Sequence, residues 1–515
     1  MSDLYKVPAI KPPSVDQLHE LSRSLGIQCS VEELEDYREH MKGLTESYDR
    51  VSRLERPSLP VKYPRTPGYR PSPEENKYNA WYWRCDIKGA ESGKLSGKTI
   101  AIKDNVAVAG VPMMNGSKIL EGYVPEFDAT IISRILDAGG RIIGKTNCED
   151  LCLSGASFTN ATGPILNPND PTRTSGGSSA GSAVAVATGE ADMAIGGDQG
   201  GSIRIPSSWC GLAGIKPTFG LVPYTGASSI ETTIDHLGPI AKSVEDCALL
   251  LEVIAGFDEG RDPRQYLSIQ VPEYSKLLTN VIAGKKIGLV KEGFEGCELD
   301  VVSHVQEAAL SLRRLGAEVE EMSLPMHSEG VHIWTLITLE GADKCMIQGN
   351  GTGYQNKGFY PFSLQEAYAR GIKARPQDLS ETVKMMILYT GYVSQNYQNR
   401  FYAMAQNQNI MLTKAYNKAL ETYDVLIMPT LPFKASKLPT SKETRQDRLN
   451  LALKMVKNTA PFDITGHPAL TINAGFSQGL PIGMMIIGRH FDDATVLQVG
   501  HAFEEQNSEA DVNRL

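Results

Sequence analysis

No stretch of this 515-residue chain is apolar for long enough to cross a bilayer as a helix, which takes about 20 residues. The opening residues Met1-Ser2-Asp3-Leu4-Tyr5-Lys6 lack a basic stretch followed by an apolar core, so no secretory leader is read there. Positive charge is in deficit. The net charge of −9 argues against broad nucleic-acid binding. Cysteines are few and scattered: Cys29, Cys85, Cys148, Cys152, Cys210, Cys247, Cys297 and Cys345. That pattern excludes a dense disulfide framework and suits reduced thiols in the cytoplasm. Cys148 and Cys152 lie four apart, but no second Cys/His pair at zinc-ligand spacing accompanies them, so they read as small buried thiols. Phosphate-binding signatures are missing too. No glycine turn is followed by Gly-Lys-Ser/Thr, and no Gly-x-Gly-x-x-Gly follows a strand in the right context. No internal repeat is present.

What is present is an ordinary globular composition, 41% hydrophobic and 22% charged, on a chain long enough for two or three packed layers or domains. Residues 14–54 read as helical. Ser14 with Gln17 and Ser30 with Glu33 fit the capping-box pattern, and Leu34, Tyr37, Met41, Leu44, Tyr48, Val51 and Leu54 recur at helical spacing. The apolar stripe needs a partner, either the body of the protein or a second subunit. Pro57, Pro60, Pro64, Pro67, Pro71 and Pro73 mark an extended connector. From Leu95 short apolar strands alternate with helices, the pattern of an α/β sheet with helices on both faces. Thr99-Ile100-Ala101-Ile102 is a strand running into Lys103, and Ala129–Ala138 is a helix stopped by Gly139-Gly140. A second α/β segment opens at Lys286, and core character returns at Asp424.

The chemistry concentrates between Thr174 and Gly220. Two Gly-Gly-Ser turns, Gly176-Gly177-Ser178 and Gly200-Gly201-Ser202, lie on either side of the apolar run Ala183–Ala187. Glycine pairs let backbone N–H groups crowd round an anion, and the serine closing each turn points to an oxyanion and a nucleophile. Neither serine sits in a Gly-x-Ser-x-Gly elbow, and no histidine is placed by a local motif to act as base. A lysine such as Lys103 serves as a base only if it is buried, since burial disfavours its charged form, and sequence spacing alone does not bring it to either serine. Asp235-His236 reads as structural, and Arg204 as pinning the loop after Ser202.

The stretch Gly176–Phe219 resembles the amidase-signature family of serine hydrolases, and the similarity runs from about Leu95 to Glu505. It takes in Ile100-Ala101-Ile102-Lys103-Asp104-Asn105 and Gly479-Leu480-Pro481-Ile482-Gly483-Met484-Met485. Gly196-Gly197-Asp198-Gln199-Gly200-Gly201-Ser202 and Thr233-Ile234-Asp235-His236-Leu237-Gly238-Pro239 resemble the family's bacterial amidases associated with nitrile degradation. The resemblance implies a mixed, twisted central sheet covered by helices on both faces. It matches an N-terminal helical domain at 1–56, a connector at 57–80, a catalytic core at 81–283 and 424–515, and a small α/β domain inserted at 284–423.

It further implies that Ser202 forms an acyl-enzyme, that Ser178 follows a cis peptide bond and bridges Ser202 to Lys103, and that Lys103 is the base. The backbone amides of Gln199, Gly200, Gly201 and Ser202 are the implied oxyanion hole. No metal or organic cofactor is needed. Leu153, Ile234 and Trp334 are the expected walls of an acyl pocket. The implied reaction is hydrolysis of a monocarboxylic acid amide to the acid and ammonia by a cytoplasmic homodimer. The rival is the glutamine-amidotransferase subunit of a tRNA-dependent complex, which shares the fold and requires partner subunits.

Overall fold

The computed structural model describes residues 9–267, 269–354 and 356–512, so the opening segment read above for a leader lies outside it. The chain divides into two compact units, Met1–Ser58 and Leu59–Leu515. In the smaller unit, helices span Val15–Ser24 and Val31–Ser52. Both start with the expected capping boxes: Ser14 Oγ accepts from Gln17 N at 3.1 Å, and Ser30 Oγ accepts from Glu33 N at 3.2 Å. Only Leu18, Ser22 and Leu34 of these helices are buried. Tyr37, Leu44, Tyr48 and Val51 stay exposed.

The larger unit is built on eleven strands: β1 Trp81–Lys88, β2 Thr99–Lys103, β3 Arg141–Thr146, β4 Met193–Asp198, β5 Ala213–Lys216, β6 His236–Ala241, β7 Lys286–Val290, β8 Glu318–Met322, β9 Val425–Pro429, β10 Ala469–Ser477 and β11 Leu480–Ile487. They form one mixed sheet in the order β1-β3-β2-β4-β6-β5-β10-β11-β9-β7-β8. The segment 284–423 contributes β7 and β8 to this sheet, because β7 pairs in parallel with β9. Its strands therefore extend the central sheet and make no sheet of their own. The proline-rich stretch belongs to the larger unit from Leu59 onward: Tyr69 bridges to Arg84, and Lys62 and Tyr63 bond Asp137 at 2.6 and 2.8 Å. Among the described residues no helix is long and apolar enough to cross a membrane.

The middle of the sheet positions the site. β2 runs parallel to both β3 and β4, so all three strands end at the same edge. A parallel connection needs a crossover, and the helix Ala180–Ala187 supplies it between β3 and β4. Its first turn sits at that edge, where Gly181 N donates to Asn147 O at 3.0 Å. Lys103 ends β2, Asp198 ends β4, and Ser178 lies just before the helix. Strand alternation sorts the rest. Ile100 and Ile102 join the core that holds Ile131 and Ile135, while Ala101 faces Ala183 and Val184 of the crossover helix. Burying each isoleucine is worth about 1.5–3 kcal/mol.

The crossover helix lies so close to the sheet edge that a Cβ at Gly181 would run into the Ala80 and Asn147 carbonyls. Gly391, inside the helix Glu381–Tyr397, has nothing within 4 Å of an added Cβ. Calorimetric unfolding should therefore separate the two. Gly181→Ala is expected to lose about 1–3 kcal/mol through overpacking, and Gly391→Ala to gain about 0.5–1 kcal/mol of helix propensity.

Candidate active site

Lys103 is completely buried at the end of β2, with Nζ 2.7 Å from Ser178 Oγ and 3.1 Å from Gly197 O. Among the described residues no carboxylate pairs with it. Nearby Lys145, equally buried, has Asp104 at 2.9 Å. The Gly177–Ser178 peptide is cis. Ser178 is held by its backbone, whose carbonyl accepts from Glu149 N at 3.3 Å. A Cβ on Gly177 would strike Ala156 O, so only glycine permits this approach. The next residue joins the two glycine turns: Ser179 N donates to Ser202 O at 3.3 Å, and Ser179 Oγ donates to Gly197 O at 3.1 Å.

The loop from Asp198 to Ser202 is fixed peptide by peptide. Trp334 Nε1 donates to Gln199 O at 2.6 Å, Thr459 Oγ1 to Gly200 O at 2.6 Å, and Ile205 N to Gly201 O at 2.7 Å. In a trans peptide the N–H points opposite the carbonyl, so these three bonds also aim the amides of Gly200, Gly201 and Ser202. The Gly201 amide is directed at Asp198 Oδ1, 2.6 Å away, and is taken up there. It is thus not free to serve the oxyanion hole in which it was expected. Among the described residues the Gly200 and Ser202 amides have no protein acceptor.

Asp198 also accepts from Ile203 N at 3.0 Å and from Arg204, whose Nε and Nη2 each lie 3.0 Å from a carboxylate oxygen. Burial raises the pKa of Asp198, but the Arg204 guanidinium outweighs it and holds the carboxyl well below the usual range. Arg204 further donates to Asp463 Oδ2 at 2.8 Å and Thr459 O at 2.9 Å. Burial first, and then the Asp198 charge, push Asp463 well above the usual carboxylate value. His236 touches neither serine. Its Nδ1 is 2.8 Å from Ile234 O, and burial followed by Lys216 holds its pKa far down.

Ser202 opens on a cavity of about 290 Å³. Gln199, Gly200 and Ser202 stand on its wall with Cys152, Leu153 and Ile205. One face of the helix His327–Ala342 supplies Val331, Trp334, Thr335, Thr338 and Leu339, at helical spacing. Thr382, Met385 and Met386 come from the helix Glu381–Tyr397, and Leu453 and Val456 complete the wall with Ser154, Gly155 and Ile230. None of these residues is Asp, Glu, Lys, Arg or His.

Leu153 and Trp334 lie on the wall of this cavity. Ile234 does not: it is fully buried in the core beside Phe462 and Leu412, and Ile230 lines the cavity instead. The chain turns between them, where Ile234 N donates to Glu231 O at 3.1 Å. The remaining walls carried no local signal beyond the helical spacing around Trp334. Arg204→Met tests the loop anchor. Stranding the buried Asp198 charge should cost about 3–5 kcal/mol, read as a marked fall in unfolding temperature.

The chain is similar to the enantioselective amidase of Rhodococcus rhodochrous, 43% identical over 506 residues that span 96% of each protein. It is also similar to a glutamyl-tRNA(Gln) amidotransferase subunit of Methanosarcina acetivorans, 38% identical over 453 residues, 85% of this chain and 92% of that one. Among solved structures, the glutamyl-tRNA(Gln) amidotransferase subunit of Thermotoga maritima superposes with a TM-score of 0.65 at 32% identity, covering 81% of this chain and 84% of that one. The amidase family profile matches residues 71–497, and the chain belongs to the amidase family of amide-hydrolysing enzymes.

Proposed function

We propose that the protein is a free-standing amidase that converts an apolar monocarboxylic acid amide and water into the acid and ammonia. The observation that carries this reading is the cavity at Ser202, whose wall holds no Asp, Glu, Lys, Arg or His side chain. A glutaminase has to seat a substrate bearing both an ammonium and a carboxylate, and burying those charges without partners is prohibitive. An aliphatic or aromatic acyl group meets no such penalty against Leu153, Ile205, Trp334 and Met386.

In this reading Ser202 Oγ attacks the amide carbonyl carbon. Its proton passes to Ser178 Oγ, and the proton of Ser178 passes to Lys103 Nζ, 2.7 Å away. The oxyanion is met by the amides of Gln199, Gly200 and Ser202, each donor of this kind being worth roughly 10²–10³ in rate. Collapse breaks the C–N bond, and the proton returns from Lys103 through Ser178 to the leaving nitrogen. Ammonia departs and the acyl group stays on Ser202. Water then attacks the ester by the same route, releasing the acid.

Ammonia release from propionamide, benzamide and glutamine tests the assignment. Propionamide and benzamide should be hydrolysed and glutamine left intact. Ser202→Ala and Lys103→Ala should each lower kcat by at least about 10³-fold. Release from glutamine alone would move the protein to the amidotransferase reading. We also propose that the protein is a homodimer through the N-terminal helices, whose Leu44, Tyr48 and Val51 are each more than half exposed at 54%, 59% and 67%. Leu44→Glu with Tyr48→Glu in the full chain should halve the mass seen by light scattering. An unchanged mass would sink this interface.

A further inference from the structure

Cys152 stands on the wall of the Ser202 cavity and takes no part in the acyl transfer. Its turn is held by Leu151 N donating to Asn115 O at 3.0 Å and by Cys152 N donating to Glu149 O at 2.8 Å. Cys148, four residues earlier, is fully buried. Asn115 Oδ1 gathers both thiols, lying 3.2 Å from Cys152 Sγ and 3.5 Å from Cys148 Sγ. The other end of that amide is fixed as well, since Asn115 Nδ2 donates to Tyr368 Oη at 2.8 Å. The Cys152 thiol is also within hydrogen-bonding reach of Ser178 and Lys103, the pair joined at 2.7 Å. A thiol, a buried lysine and a cavity wall therefore meet at one place.

Those neighbours set Cys152 apart from six other thiols. Burial raises the pKa of Cys85, Cys148, Cys210, Cys247, Cys297 and Cys345. Burial acts on Cys152 too, but hydrogen bonding from Cys148, the Lys103 charge and hydrogen bonds from Ser178 and Lys103 outweigh it and bring this thiol below its ordinary value. The thiolate is the nucleophilic form of cysteine, and thiols beside a cation are the reactive ones. The cavity sets what can arrive. Its wall holds no Asp, Glu, Lys, Arg or His, so a charged reagent would have to shed its water without finding a partner. We infer that Cys152 is a modification site for small, uncharged sulfur electrophiles, whose mixed disulfide with it closes the cavity at Ser202. With methyl methanethiosulfonate the thiol passes its proton to Lys103, and the thiolate attacks the methylthio sulfur. A new S–S bond forms, the S–SO₂ bond breaks, and methanesulfinate leaves with the electron pair. Dithiothreitol reverses the change, releasing methanethiol and becoming its own cyclic disulfide. The site does not rest on the amidase reading; its effect on turnover does.

The test treats the full-length wild type with methyl methanethiosulfonate and follows the mass of each cysteine-containing peptide over time. Exposure alone favours Cys29, Cys85 and Cys297, the partly exposed thiols. Cys152 should nevertheless be labelled about tenfold or more faster than Cys85 and Cys297. Labelling of those two ahead of Cys152 overturns the inference. The anionic reagent 2-sulfonatoethyl methanethiosulfonate, compared with the uncharged one, should be at least about tenfold slower at Cys152, taking the ratio of the two at Cys29 as the reference. Equal discrimination at Cys152 and Cys29 overturns the part assigned to the cavity. Ammonia release from benzamide should fall in step with the Cys152 label and return with dithiothreitol. A labelled Cys152 with ammonia release intact overturns the closing of the cavity while leaving the amidase reading standing. A wild type that hydrolyses no amide overturns the amidase reading, and the labelling rates still decide the site.

Discussion

The buried carboxylate of Asp198 is the constraint on which the site depends. Taking a carboxylate out of water is expensive, and the cost is offset only when its lone pairs are filled. Here Gly201 N, Ile203 N and the guanidinium of Arg204 fill them. Each of these groups lies within six residues of Asp198, so the turn carrying Ser202 is wound tightly round a single charge. Arg204 then ties the turn outward to Thr459 and Asp463. The same bonds consume the Gly201 amide, so fewer backbone donors of the turn stay unpaired than its glycine-rich sequence offers.

Strand direction brings the other parts to this turn. β2 and β4 are parallel neighbours, and the crossover helix between β3 and β4 begins where those strands end. Lys103, Ser178 and Ser202 are far apart in the chain, yet all three come off one edge of one sheet. Ligand sites of open α/β sheets gather at such carboxyl ends for the same reason. Small residues let the layers close: Ala101 and Ala194 on the sheet face Ala183 and Val184 on the helix. The cavity in front has a different origin. Two long helices lean their apolar faces over the edge, and Trp334 both lines the space and grips the Gln199 carbonyl. Shape of the pocket and aim of the loop are therefore coupled through one side chain.

Much of this is legible in the chain's local patterns. The serines capping the first two helices, the strand ending at Lys103 and the helix stopped at Gly139 are local signals, and local hydrogen bonding or alternation produces them. The glycine turns and their serines announce an anion site, and the family resemblance joins them to Lys103. Ile234 shows where such reading stops. It is four residues from Ile230 and equally apolar, but the turn after Glu231 sends it into the core. Gln199 shows the same limit from the other side. As one residue of a glycine-rich loop it carries only a backbone role, and the direction of its side chain depends on Tyr224, Ser228 and Asn105.

By itself the sequence determined what short-range physics controls: the alternation of strands and helices, the caps, the absence of a long apolar helix, and the two turns where backbone amides crowd a serine. Tertiary structure alone decided which amides remain free, which apolar residues face the cavity rather than the core, and which way an amide side chain points. Several of those outcomes depend on contacts between segments distant in the chain, such as Trp334 on Gln199 and Thr459 on Gly200. No local pattern encodes them, because burial and hydrogen-bond partners are properties of the packed chain.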